Sequence, residues 1–290
     1  MKSNKLLRIA VVRHYDRQAV SGQLVSYLPN SYAERTSRPI CALFFLTGLM
    51  AVFVIGTILI TLSQSLAESQ VRVVAFIWVQ NIMEFLGFSP RLALIATPLV
   101  VVVILLALQV TSKTSWRVKF EDMFLMAGEC MLLTVPLIVL SLLLNREPAV
   151  SNTAALAGQI VESQNLLLID IVTGIGAGIY EELIFRLVLI CLLMLLFQDL
   201  FGMEKKPAVI LSVVISAVLF SVHHHIFFAN GQFHQGDIFT IGKFTFRAIA
   251  GGYFAILYAV RGFGITAGTH AFYNILAAVL RTLLFTIQPE

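Results

Sequence analysis

Long stretches without a charged residue alternate along this chain with short clusters of lysine and arginine. Residues 39–67, 92–112, 207–236 and 262–280 contain no Asp, Glu, Lys or Arg, and 123–145 is interrupted only by Glu129. About 20 apolar residues cross a hydrocarbon core of about 30 Å, so each stretch predicts a membrane-spanning helix. Spans are expected at 39–63, 92–111, 123–145, 163–200, 207–227, 242–260 and 262–287. Residues 69–90 are apolar but carry Arg72, Trp78 and Glu84, which suits a helix along the interface, or an eighth span if it crosses. The expected fold is all-α: a polytopic transmembrane helical bundle of seven to eight spans. It divides into an arm over 1–38, N-terminal membrane helices over 39–160 and a core over 161–288.

The span at 163–200 is too long. As one straight helix it runs about 57 Å at 1.5 Å per residue, nearly twice the hydrocarbon thickness. Gly174, Gly176 and Gly178 are the expected place for a break, because glycine weakens a helix interior. The same three residues suit a face for close helix packing.

Composition strengthens the membrane reading. Charged residues make up 12% of the 290 and apolar ones 58%, with a mean hydropathy of +0.89; soluble domains carry about 25% charged residues. The net charge of +4 is modest and concentrated in the arm, where seven Lys/Arg stand against Asp16 and Glu34. That makes nucleic acid a poor partner and lipid the expected one. The arm reads as a cytoplasmic topology signal. The other basic clusters, Lys113/Arg117/Lys119, Lys205/Lys206 and Arg261, share its side if even numbers of crossings separate them. The first apolar run begins near residue 39, behind this arm, unlike a signal sequence. Cys41, Cys130 and Cys191 lie in apolar segments at unrelated spacings and read as packing residues rather than disulfides or metal ligands.

Ionisable groups inside spans are costly and usually face a cavity or a partner. Glu181, Glu182 and Arg186 follow the glycines directly. Glu182 and Arg186 stand four apart in the favourable order for a helical ion pair, while Glu181 lies about 100° round the helix and is left for other work. A carboxylate in a dry site suits a general base. Phe220 is followed by the run His223-His224-His225. Consecutive residues on a helix point apart, so at most two of these address one site; His223 or His225 is expected to be a solvated interfacial histidine. His270 and Asn274 share a helix face. Glu129, Asp170, Lys243 and Arg247 are expected to pair among themselves without a catalytic role.

The order Glu-Glu-x-x-x-Arg, Phe-x-x-x-His, His-x-x-x-Asn across three late helices resembles the CPBP intramembrane proteases. That family includes the type II CAAX prenyl endopeptidases and proteins of bacteriocin processing and immunity. The resemblance runs from about residue 160 to 280 and selects His224 among the three histidines. It implies an endopeptidase site of Glu181, His224, His270 and Asn274. Glu181, assisted by His224, would activate water; His270 and Asn274 would donate to the oxyanion; Glu182 and Arg186 would hold Glu181 in place. It also leaves open a divalent-metal chemistry, with zinc as the candidate and Glu181, His224 and His270 as ligands. The implied substrate is a membrane-associated, prenylated or small peptide. Two other readings compete, a catalytically silent relative serving as a scaffold or regulator and a charge-relay transporter. The chain has no Asn-x-Ser/Thr sequon, which favours a multi-pass protein of a bacterial inner membrane.

Overall fold

The computed structural model describes residues 27–62, 73–144, 159–229 and 231–287. Most of the basic arm, Arg72 and the junction at 145–158 lie outside the described residues. A short helix α1 (Tyr32–Thr36) leads into α2 (Pro39–Leu62), α3 (Val74–Phe85), α4 (Pro90–Ser112) and α5 (Phe120–Leu144). Then come α6 (Gln159–Glu182), a π-helical turn at Leu183–Val188, α7 (Leu189–Met194), a second π-helical turn at Leu195–Leu200 and α8 (Lys205–His225). Strands β1 (Ile226–Ala229) and β2 (Gln232–Gln235) form a hairpin before α9 (Ile241–Arg261) and α10 (Phe263–Ile287).

Six of these helical stretches are long and apolar enough to cross a membrane: Pro39–Ile60, Pro90–Ser112, Phe120–Leu144, Leu167–Leu200, Lys205–His225 and Phe263–Leu283. The protein is a polytopic helical membrane protein. Outward faces confirm the solvent: Leu132, Val103 and Ile95 are all more than 60% exposed, an arrangement that only lipid makes favourable. The 242–260 segment is a helix as expected, but with Lys243 and Arg247 in its first two turns it is not among the six. Val74–Phe85 is a shorter apolar helix, and its indole, Trp78, donates to the carbonyl of Phe228 at 2.6 Å.

The long helix is not broken at its glycines. α6 stays α-helical through Gly174, Gly176 and Gly178, and the irregular turns follow Glu182. The glycines instead allow close approach on two faces. A Cβ on Gly174 would lie 2.7 Å from Asn274 Cβ, and one on Gly178 would lie 2.5 Å from the backbone nitrogen of Ala271, both on α10. On the other face, a Cβ on Gly176 would collide with the Phe53 ring of α2. α6 and α10 therefore run antiparallel at the centre of the bundle, and α10 is the most buried of the six spans.

Polar groups gather at two ends. At one, Arg35 grips Asp122 with two bonds of 2.7 Å and Arg38 pairs with Glu34 at 2.6 Å. Arg261 there binds Glu129 at 2.6 and 2.7 Å, while Tyr32 donates to the same carboxylate at 2.7 Å. Glu129 thus pairs with Arg261, not with Lys243 or Arg247, because α9 runs antiparallel to α5: its C-terminal end meets the Glu129 level, while Gly242 at its start lies against Leu144 O. Asp170 pairs with Arg281 at 2.7 Å, and Arg247 with Asp237. The packing of Gly251 on Ala217 and the bond from Ser221 to Phe244 O make α8 and α9 antiparallel. Lys205 and Lys206 therefore share the end of Arg261, and the hairpin lies at the other.

Candidate active site

Glu182 is anchored first. It is fully buried, with Oε2 3.0 Å from Arg186 Nε, the pairing that the four-residue spacing predicts. Arg186 sits in the π turn after α6, with its guanidinium carbon 4.3 Å from the Phe220 ring centre. Its Nη2 donates to Gly251 O at 3.1 Å. A π turn inside an α-helix shifts the register of side chains and is common at functional sites. Here Ser216 of α8 donates to the carbonyl of Phe185 within that turn at 2.8 Å. The close approach of α6 and α10 brings in His270, whose Nδ1 lies 2.7 Å from Glu182 Oε1. Phe254 stacks on the His270 ring, with centres 4.5 Å apart and planes at 17°.

Glu181 faces elsewhere. Its Oε1 lies 3.6 Å from His223 Nε2 and its Oε2 3.8 Å from His224 Nε2. These separations exceed a direct hydrogen bond. The three groups nevertheless converge, with one ligand atom of each lying within 4.8 Å of the others. Both imidazoles are oriented by a single acceptor: Phe220 O lies 2.6 Å from His223 Nδ1 and 2.8 Å from His224 Nδ1. A carbonyl only accepts, so both Nδ1 atoms carry a proton and each ring turns its Nε2 towards Glu181.

His223 or His225 was expected to be solvated, and neither is. His223 is buried against Phe185 at 4.7 Å between ring centres and Trp78 at 5.9 Å. Two consecutive histidines reach one carboxylate because their rings straddle its direction, with centres 4.0 Å apart. His225 is also buried and lies near Asp237 O at 3.0 Å through Nδ1, away from Glu181. The three-residue run itself was the available signal for His223; helical geometry alone could not say which pair would be chosen. Among the described residues, Glu181, His223 and His224 place one ligand atom each within reach of a common ion; of the expected ligands His270 lies with its Nδ1 at Glu182 Oε1, 2.7 Å away.

Asn274 stands one turn beyond His270, and its Nδ2 donates to Gly174 O at 3.2 Å. That bond ties α10 to α6 at the glycine contact.

Residues 163–276 match the family model described as Type II CAAX prenyl endopeptidase Rce1-like. This segment is similar to the Rce1-like family. The match covers under half of the chain and contains Glu181, Glu182, Arg186, all three histidines of the run, His270 and Asn274. No curated protein and no solved structure matches the chain. The Rce1-like family supports CAAX-type intramembrane proteolysis in general, with lipid as surroundings and peptides as the class of substrate. α1 to α5 lie outside the Rce1-like segment, yet α2 supplies Phe53 against Gly176 and α3 supplies Trp78 against His223.

Proposed function

We propose that this protein is an intramembrane endopeptidase whose water-activating base is Glu181. The observation that carries the reading is the convergence of the Glu181 carboxylate with the Nε2 atoms of His223 and His224, next to Glu182, Arg186 and His270, all within the segment that matches the Rce1-like model. A buried carboxylate whose Oε2 has no hydrogen-bond partner among the described residues, beside two imidazole Nε2 atoms, can hold a water molecule by several hydrogen bonds at once. Glu181 takes a proton from that water as its oxygen attacks the scissile carbonyl. The resulting oxyanion meets His270, whose ring Glu182 fixes through Nδ1 and whose Nε2 donates once protonated. The proton then passes to the departing amine as the carbon–nitrogen bond breaks. Glu182 and Arg186 act as positioning residues, and Asn274 holds the α6–α10 contact within a turn of His270.

A second mechanism has its own support. The donor set of two imidazoles and a carboxylate is one that zinc and similar cations accept with an open position, and the shared Phe220 carbonyl is the outer-shell device that fixes such ligands. Glu181, His223 and His224 would hold the cation, which would polarise the carbonyl and acidify its water when bound.

The deciding experiment compares membranes containing the wild-type protein with membranes containing Glu181→Gln and reads new peptide C-termini by mass spectrometry. Products present only with the wild type support the reading, and identical product sets refute it. Elemental analysis of the purified protein, and of a His223→Ala variant, separates the two mechanisms.

A further inference from the structure

The hairpin after the histidine run carries an unpaired edge that leads to the site. Ile226 stands opposite Gln235, Phe227 opposite His234, Phe228 opposite Phe233 and Ala229 opposite Gln232. Gly236 N–H donates to His225 O at 2.9 Å. Because bonded and non-bonded pairs alternate along an antiparallel ladder, the next bonded pairs are Phe227/His234 and Ala229/Gln232. Phe228 on β1, and Phe233 and Gln235 on β2, therefore turn their main-chain groups outward.

The two edges differ. On β1 the outward carbonyl of Phe228 is taken by Trp78 of α3. On β2 all four residues are exposed, Phe233 by 78%, and no hydrogen bond meets the outward groups of Phe233 and Gln235 among the described residues. β2 is also continuous with the site. Asp237 N–H donates to His224 O at 2.9 Å, and Gly236 passes so close to that carbonyl that a Cβ would collide with it.

A peptide bond inside a helix is shielded by its neighbours and must be drawn out before water can attack it. Once extended near the membrane, its N–H and C=O groups need new partners. An open strand edge supplies them in alternation. We propose that the outer edge of β2 takes the extended segment of the peptide substrate as an added strand, through the main-chain groups of Phe233 and Gln235, and leads it to Glu181. This rests on the endopeptidase reading above.

The test uses the full chain carrying Glu181→Gln in lipid nanodiscs, where both faces are open. The probe is a fluorescent farnesylated peptide ending in Cys-aliphatic-aliphatic-X, alongside a copy with alternate amides N-methylated. Phe233→Pro and Gln235→Pro each delete one outward N–H and leave the inner bonds of the hairpin, a substitution that edge strands tolerate. Each should weaken binding about three- to tenfold, the effect of one main-chain hydrogen bond. The N-methylated probe should bind correspondingly worse to the parent, and this arm leaves the protein untouched. Phe233→Ala keeps the N–H and should change binding less than twofold.

Equal binding of the proline variants and of both probes overturns the proposal. So does an alanine effect as large as the proline effect, which would make the hairpin a side-chain or lipid contact, and so does an absence of probe binding. Cleavage of the probe by the wild-type protein in the same discs reports separately on the protease. Cleavage without edge dependence overturns strand addition alone. Edge-dependent binding without cleavage sustains strand addition and removes the endopeptidase.

Discussion

The two ends of the bundle handle charge in opposite ways. At the Arg261 end every buried or half-buried charge is matched: Arg35 with Asp122, Arg38 with Glu34, and Arg261 with Glu129 under the hydroxyl of Tyr32. Even Tyr27 contributes, donating to Val260 O. At the hairpin end, buried Glu181 Oε2, Arg186 Nη1 and His225 Nε2 have no hydrogen-bond partner among the described residues. An unmatched buried polar atom costs about 1–3 kcal/mol, and a fold keeps such atoms where they serve something other than stability. The first end fastens α1, α5 and α9 together. The second leaves groups unmatched, as the proposed catalysis requires.

Substitutions can break this contrast, and the largest effect is expected at the unmatched end. Glu181→Gln should lower peptide cleavage about 10²- to 10⁴-fold, the usual loss on removing a general base, while leaving thermal unfolding in detergent nearly unchanged. A large fall in the unfolding midpoint would mean that Glu181 is a structural group. Asp122→Ala should do the reverse. Removing one partner of a nearly buried ion pair strands Arg35 and should destabilise by about 2–4 kcal/mol, measured by denaturant titration in micelles. Catalysis by the protein that remains folded should be close to normal.

Gly178→Ala joins the two properties. Its methyl group would press on the backbone of Ala271, so overpacking of about 1–3 kcal/mol is expected. Because the same contact brings His270 to Glu182, activity should fall together with stability in one preparation. A loss of stability with unaltered activity would separate the helix contact from the site. A finer comparison sets His223→Ala against His225→Ala. The first should reduce cleavage at least tenfold and the second much less, since only His223 faces Glu181; equal losses would erase that distinction.

The smallest effect is expected at Asp237, on the loop after β2. Burial works against its charge, but the hydrogen bond and the positive charge of Arg247 outweigh burial and hold the carboxyl below its ordinary value. A depressed carboxylate contributes stability above the ordinary carboxylate pKa and loses it as pH falls through the folded value. The side chain is 57% exposed, so screening keeps the contribution below about 1 kcal/mol. Asp237→Asn should therefore shift the unfolding midpoint by at most a degree or two at pH 7 and by nothing near pH 2.

Much of this was legible in the order of residues. Runs without charge marked the spans, since a bilayer excludes charge wherever it occurs along the chain. Four-residue spacing marked the Glu182–Arg186 pair, since both partners sit on one helix whose geometry is known in advance. The same local rule failed at the glycines. Whether Gly174, Gly176 and Gly178 bend a helix or admit a neighbour depends on what lies opposite, and Asn274, Ala271 and Phe53 come from elsewhere in the chain. It failed again for Glu129 and Asp170, whose partners are chosen by the helix ends that meet them.

What the sequence by itself determined is therefore the membrane, the helices and the inventory of buried polar groups, because hydrophobicity and helical period act over a few neighbouring residues. Only the tertiary structure decided that His223 joins His224 on Glu181, that His270 belongs to Glu182, and that β2 presents an open edge beside them. Those are relations between segments 40 to 90 residues apart, and they are set by the close approach of packed helices.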